Sequence, residues 1–409
     1  MTLPNLANAD WLTKPETQRV LGALEAAGFA ARVVGGCARN ALMGLPVTDI
    51  DIATTALPAD TQRIAKAAGL AAIPTGIEHG TITVIANHVP FEVTTLRRDV
   101  ATDGRRATVA FTDDWVEDAA RRDFTMNALY CDARGEIFDP LAGYGDVLAH
   151  RVRFICDPAE RIREDYLRIL RFFRFHATYG AGELDAAGAS ACVQLRAGLA
   201  QLSAERVGSE VLRLLTAKAA VPVVGQMFGL GLLVDVLGVA PRMTRFCRLV
   251  DIEEALNVVP DAALRLAALA VHVIEDVPRL ADRLRLSKDQ QTVLRRAADH
   301  TRRLAATTSE GAARITLFRL GADDYRRRLL LDWAETDDPL SDHNWLALAS
   351  LPTRMPVPQF PLAGRDLLAL GFQPGPDIGR LLSDLEEIWI DSDFSASAEA
   401  LTAEASRHL

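Results

Sequence analysis

Apolar positions change their spacing near residue 150. Before it, short runs rich in β-branched residues alternate with helical segments; after it, apolar residues return mostly at i, i+3 and i+4, the period of one helix face. In the first region the pattern predicts a helix over 15–27, a strand over 31–34, a turn at Gly35-Gly36 and a helix over 37–43. Further strands are expected over 50–53, 81–86, 91–95 and 129–132. The second region reads as helices over 159–179, 204–219, 262–277, 288–305 and 377–390, punctuated by Gly364 and Pro374-Gly375-Pro376. Residues 219–240 approach the length of a bilayer span with only Gln226 and Asp235 interrupting them. Pro222, Gly225, Gly229, Gly231 and Gly238 favour buried helices joined by a turn instead. No fixed-period repeat or low-complexity tract is present.

Composition narrows the picture. At roughly 150 residues per domain, 409 residues suggest two or three units. Lys plus Arg is 45 against 54 Asp plus Glu, a formal charge of -9, which excludes a uniformly basic nucleic-acid coat protein but not a local basic face. Lysine occurs only at 14, 66, 218 and 288, so nearly all the basic charge is arginine. A GC-rich genome accounts for that bias, and arginine also suits bidentate phosphate contacts. Cys37, Cys131, Cys156, Cys192 and Cys247 are scattered with no Cys-x-x-Cys pair, which fits a reducing cytoplasm and argues against zinc. The first fourteen residues lack the basic flank and apolar run of a signal peptide. The eight histidines form no cluster.

The candidate chemistry lies in three places. Val33-Val34-Gly35-Gly36-Cys37-Ala38-Arg39-Asn40 reads as a strand ending in two glycines that open a helix. Bare N–H groups at such a turn form a phosphate cradle, with Arg39 on the first turn aimed at the same phosphates. A Gly-Gly turn alone is equally a structural element. Asp49 and Asp51, two apart on a strand, project to the same face. Like charges held that close repel unless a cation separates them, and beside a phosphate cradle the fitting cation is Mg²⁺. An isolated Asp-x-Asp would read as a solvent-facing strand edge; the glycine turn tips the balance. Glu92 is the candidate third acid, with a surface strand position as the other reading. Third, on a helix over 160–176, Glu164, Arg168 and Arg171 share one face with Asp165 and Arg174 at its margins, opposite Ile162, Tyr166, Ile169, Leu170 and Phe173. Ordinary solvated ion pairs would give such a face. Three arginines with two acids nearby leave a positive surplus that wants an anionic partner.

Gly35-Gly36-Cys37-Ala38-Arg39-Asn40, Thr48-Asp49-Ile50-Asp51-Ile52-Ala53-Thr54 and Arg121-Arg122-Asp123-Phe124-Thr125-Met126-Asn127-Ala128-Leu129 resemble successive motifs of the class II nucleotidyltransferases, the bacterial CCA-adding tRNA nucleotidyltransferases and their poly(A) polymerase relatives. Asp139-Pro140 with Gly143 and Asp146 resembles the hinge motif that follows, and Glu164-Asp165-Tyr166-Leu167-Arg168 the nucleotide-selecting motif. Gly364-Arg365-Asp366-Leu367 with Pro374-Gly375-Pro376 resembles the end of the C-terminal region. Two departures stand out: Ala38 where the family usually has valine, and Asn40 where it usually has aspartate.

The resemblance implies an α+β chain: a polymerase-β-like nucleotidyltransferase head with a mixed sheet over 1–150, a helical neck with the nucleotide-selecting helix over 151–230, and a helical body and tail for tRNA over 231–409. It implies Asp49 and Asp51 as catalytic metal ligands for two Mg²⁺ ions, and Gly35, Gly36, Arg39, Arg122, Asp123, Asn127, Asp165, Arg168, Arg171 and Arg174 as nucleotide contacts. Arg121 is open between a place in the nucleotide site and a surface or ion-pair role. Cytosine and adenine each present an exocyclic amine beside a ring-nitrogen acceptor, so Asp165 can accept from the amine and Arg168 donate to the ring nitrogen. Uracil and guanine would leave those groups unpaired at about 1–3 kcal/mol each. The expected activity is template-independent addition of C, C and A to a tRNA 3′ end from CTP and ATP, in the cytoplasm, with no membrane and no protein partner. A poly(A) polymerase is the nearest alternative. Residues 95–111, with Asp103-Gly104-Arg105-Arg106, resemble the flexible loop of enzymes that complete CCA, and residues 382–409 hold seven acids and one arginine, unlike the basic extension of many polymerase relatives. A non-catalytic RNA-binding protein should have lost the paired aspartates, and the absence of a His-Asp dipeptide argues against an appended phosphohydrolase of that signature.

Overall fold

The computed structural model describes residues 2–103 and 106–408. The chain divides into two compact units, one formed by Met1–Ala240 with Asp282–Leu286, the other by Pro241–Ala281 with Ser287–Leu409. The change of hydrophobic spacing near residue 150 thus falls inside the first unit.

Nine strands occur among the described residues: β1 Ala31–Val34, β2 Asp51–Thr54, β3 Ala71–Gly76, β4 Thr81–Ala86, β5 Val89–Thr95, β6 Arg97–Asp103, β7 Arg106–Phe111, β8 Tyr130–Cys131 and β9 Ile137–Phe138. Seven form one sheet in the order β3-β4-β5-β2-β1-β8-β9, and β6 pairs antiparallel with β7 in a second. Within the large sheet β2 runs parallel to β5 and antiparallel to β1, so the sheet is mixed. Strict alternation makes one face of β4 and β5 apolar: Ile82, Val84, Phe91 and Val93 are buried against Leu21, Leu24 and Ile64 of the helices Pro15–Ala26 and Pro58–Ala67. The other face buries Val34, Ala53, Leu96 and Tyr130. The strand β3 was not expected from the sequence: at the sheet edge it is mostly exposed, contains Pro74 and is bulged between Ile73 and Gly76, so it lacks the alternation that marks β4. Gly104 and Arg105 of the expected flexible loop lie outside the described residues.

The expected helix over 159–179 is two helices, Pro158–Glu164 and Leu167–Tyr179. Asp165 breaks it. Its backbone is extended at φ -156°, its Oδ1 accepts the Leu167 N–H at 3.1 Å, and its Oδ2 takes Arg206 at 2.6 Å. A short acid that satisfies a backbone donor locally competes with the helix ladder. The expected helix over 262–277 likewise stops at Ala270, because the buried Asp276 carboxylate captures the N–H groups of His272 and Val273. Residues 219–240 form the helices Ala220–Gly229 and Leu232–Leu237, turning at Gly231 with φ +75°. No helix among the described residues is long and apolar enough to cross a membrane.

Candidate active site

The turn after β1 forms as its glycines require. Gly35 adopts φ +70°, open to glycine and costly for other residues, and its N–H donates to the Leu129 carbonyl at 3.1 Å. The helix Gly36–Leu42 follows at once. Arg39, expected to aim at phosphate, turns inward instead. It is 5% exposed, its Nε and Nη2 donate to Asn40 Oδ1, its Nη1 to Asn127 Oδ1, and its Nη2 to the Tyr179 hydroxyl. The guanidinium also lies 3.8 Å from the Tyr179 ring centre. Burial gathers these acceptors around it, so Arg39 braces the turn against the C-terminal end of Leu167–Tyr179. Asn40 completes the brace: its Nδ2 donates to the Pro46 carbonyl at 2.8 Å, a bond an ionised aspartate could not give.

Asp51 opens β2, directly opposite Glu92 of β5 in the parallel register. Asp49 lies two residues ahead of the strand, its carbonyl accepting the buried Cys37 thiol at 2.7 Å and its Oδ2 the Thr48 hydroxyl at 3.2 Å. Burial pushes the Cys37 thiol up to about 12, so it stays protonated and can donate. The Asp51 carboxyl is raised above the usual carboxylate range by desolvation and by the charges of Glu92 and Asp49, while Arg122 pulls it down. Like charges therefore outnumber their counter-charges at this point of the sheet. Among the described residues no three His, Cys, Asp or Glu side chains stand close enough to enclose a metal ion. Two carboxylates suit a divalent ion that keeps water and substrate oxygens among its ligands, and not an all-protein cage.

Next to this acid group the arginines are all engaged. Asp118, at 1% exposure, takes Arg121 Nη2 at 2.7 Å, Arg122 Nη2 at 3.0 Å and the Tyr130 hydroxyl at 2.7 Å. Burial alone would raise its carboxyl, but Arg122, Arg121 and Tyr130 outweigh it and hold it at about 2. Asp123 accepts Arg171 Nε at 2.8 Å and Nη2 at 2.6 Å on one oxygen and Asn127 Nδ2 at 2.9 Å on the other. Arg174 pairs with the buried Glu210, which Arg171 also approaches. Arg168 pairs with Glu164 and donates to the carbonyls of Arg161 and Arg121. The positive surplus expected on this helix is thus absent, because Asp123 and Glu210 arrive from distant parts of the chain. Arg121 is an ion-pair residue.

Of the expected residues, the structure joins Arg39, Asn127, Asp123 and Arg171 in one hydrogen-bonded chain, and sets Gly35 near Arg122 Nη1. The Arg168 backbone N–H donates to the Asp165 carbonyl at 3.0 Å, while the two side chains take other partners. Sequence reading missed Asp118, Tyr130, Tyr179, Arg206 and Glu210. Asp118 was visible in principle, three and four residues before Arg121 and Arg122; the others needed the fold.

Residues 31–153 match the family model of the poly A polymerase head domain. The chain is 32% identical to the mitochondrial CCA tRNA nucleotidyltransferase 1 of Mus musculus over 90% of its own length and 85% of the relative's. It is also 32% identical to the CCA-adding enzyme of Streptococcus gordonii, covering 95% of this chain and 96% of that one. In structure it resembles the Bacillus stearothermophilus CCA-adding enzyme in complex with CTP, with a TM-score of 0.75, 25% identity and coverage of 97% and 98%. Near full-length identity above 30% to these relatives leads to one conclusion: the chain belongs to the CCA-adding tRNA nucleotidyltransferase family.

Proposed function

We propose that the protein adds C, C and A to the 3′ end of tRNA without a nucleic-acid template, using CTP and ATP and releasing pyrophosphate. The observation that carries this reading is the placement of Asp51 opposite Glu92 and beside the strand that ends in the Gly35-Gly36 turn, with Asp49 near enough to act on its charge and Arg122 the one counter-charge. In this reading residues 1–150 are the catalytic head, 151–230 the neck, and 231–409 the body and tail that hold tRNA.

Asp49 and Asp51 would hold Mg²⁺, two ions in the full assembly, with Glu92 adding to the field. Bound there, the metal supplies Lewis acidity to the attacking 3′-hydroxyl and to the pyrophosphate that leaves. The Cys37 thiol fixes the backbone of Asp49, and the strand fixes Asp51. Gly35 and Gly36 admit the triphosphate without a Cβ in the way, and the Nη1 end of Arg122 faces that turn. The 3′-hydroxyl oxygen of the RNA attacks the α-phosphorus in line, the bond to the bridging oxygen breaks, and pyrophosphate departs.

Base choice falls to Asp165 and Arg168. Asp165 carries one bond on each oxygen, which leaves acceptor capacity for an exocyclic amine. Arg168 uses three of its five N–H groups on Glu164, Arg161 and Arg121, leaving donors for a ring nitrogen. Asp123, Asn127, Arg171 and Arg174 hold the helix against the turn from behind. Free cysteines throughout fit a cytoplasmic location.

Incubating the protein with tRNA lacking its 3′ CCA and each labelled NTP separately tests the reading. CTP should be incorporated, with ATP accepted once CTP has been added and UTP and GTP refused. Incorporation of ATP alone into unrelated RNAs would instead establish a poly(A) polymerase.

A further inference from the structure

We infer that Asp118 is the positioning residue that aims Arg122 at the glycine turn and seats Arg168, an inference that rests on the nucleotidyl-transfer reading above. Five donors converge on its one buried carboxylate. Oδ1 accepts Arg121 Nε at 2.9 Å, Arg121 Nη2 at 2.7 Å and the Arg97 backbone N–H at 3.3 Å; Oδ2 accepts the Tyr130 hydroxyl at 2.7 Å and Arg122 Nη2 at 3.0 Å. Tyr130 also receives Arg122 Nε at 3.3 Å. One edge of the Arg122 guanidinium is therefore locked, which fixes the direction of the other. Its Nη1 end faces Gly35, where an added methyl group would come within 3.7 Å of it. Arg122 also acts on Asp51, drawing its carboxyl down against the pull of burial and Glu92.

The same carboxylate reaches the selecting helix. Two bonds from the Arg121 guanidinium to Oδ1 fix that residue, and the Arg121 carbonyl accepts Arg168 Nη2 at 3.0 Å. Through Arg97 it also anchors the root of β6. One negative charge between two guanidiniums leaves one positive charge in excess, and geometry presents that charge at the turn where a triphosphate would lie. Neutralising Asp118 would set Arg121 and Arg122 repelling each other and free Arg122 to swing away.

The test compares wild type, Asp118→Asn, Arg122→Ala and the double variant of the full chain. KM and kcat for CTP and ATP are measured on tRNA lacking CCA, and nucleotide Kd by titration calorimetry without RNA. Losing charge-assisted bonds of this kind should weaken Kd and KM by roughly 10- to 100-fold in Asp118→Asn. If Asp118 acts chiefly through Arg122, the double variant loses far less than the product of the two single losses, the remainder being the path through Arg121 to Arg168. Multiplying losses, or an unchanged Kd accompanied by a lowered melting temperature, would overturn the assignment. Should Asp118→Asn not fold, Tyr130→Phe removes one donor from Oδ2 and one acceptor from Arg122, and an unchanged Kd there would overturn it equally. Wild-type protein that binds neither CTP nor ATP would overturn the transfer reading itself, whereas wild-type binding with an indifferent Asp118→Asn defeats this inference alone.

Discussion

The carboxylates at the start of β2 and the arginines of Leu167–Tyr179 meet opposite electrostatic fates. Burial first, and then the neighbouring charges of Glu92 and Asp49, push the Asp51 carboxyl up, with Arg122 alone pulling it down. On the helix, Arg168, Arg171 and Arg174 each find an acid, and Asp123 is held low because Arg171 and Asn127 outweigh its burial. Both groups were marked in the sequence as charges in need of a partner. The fold gives the arginines theirs and leaves the carboxylates short. An unbalanced cluster is where a ligand must supply charge; a balanced one is where the protein holds its own shape.

Removing the unbalanced charge should therefore abolish chemistry and spare the fold. Asp51→Ala or Asp49→Ala is expected to lower nucleotide incorporation by on the order of 10³-fold or more. Circular dichroism should be unchanged, and the melting temperature without divalent ions should hold or rise as repulsion is relieved. A lowered melting temperature would erase the contrast. The balanced group should behave in the opposite way. Asp123→Ala strips Arg171 of its main partner in a buried site and should cost about 3–5 kcal/mol in denaturant unfolding.

Acid should separate the two groups again. Asp118 is depressed to about 2 in the folded chain, against an ordinary value of 3.8, so the stability it confers is complete above about pH 4 and is lost as pH falls toward 2. Asp118 contributes on the order of 2 kcal/mol to that loss. Unfolding midpoints followed from pH 5 to pH 2 should fall more steeply in wild type than in Asp118→Asn. Tyr179→Phe, which keeps the ring under Arg39 and removes only the hydroxyl, should cost about 1 kcal/mol. The exposed Arg63–Asp60 pair sets the floor: Arg63→Ala should change stability by about 0.5 kcal/mol or less.

Local chemistry explains which parts of this were legible in the sequence. The helix from Pro15, the strands Ala31–Val34 and Thr81–Ala86 and the turn at Gly35 follow from periodicity and from glycine's freedom at positive φ. Asp165 and Asp276 defeated the helix pattern, because an acid that captures nearby N–H groups is invisible to a count of apolar spacing. The inward turn of Arg39 was hidden for another reason: Asn127 and Tyr179, which receive it, lie 88 and 140 residues away. In the second unit local and distant partners mix. Arg303 pairs with Asp332 and Glu335, Arg327 with Asp261 and Asp324, and Arg328 with Asp332. Ion-pair partners are set by topology, and topology is what a single pass along the chain does not supply.

One measurement bears most directly on the central claim that the unbalanced carboxylates serve nucleotidyl transfer to tRNA. The purified chain, given tRNA lacking its last three nucleotides together with CTP, ATP and Mg²⁺, should yield a product whose sequenced 3′ end gains C, C and A and then stops, with no extension when a chelator is present. A homopolymeric A tail, or extension that survives the chelator, would contradict it.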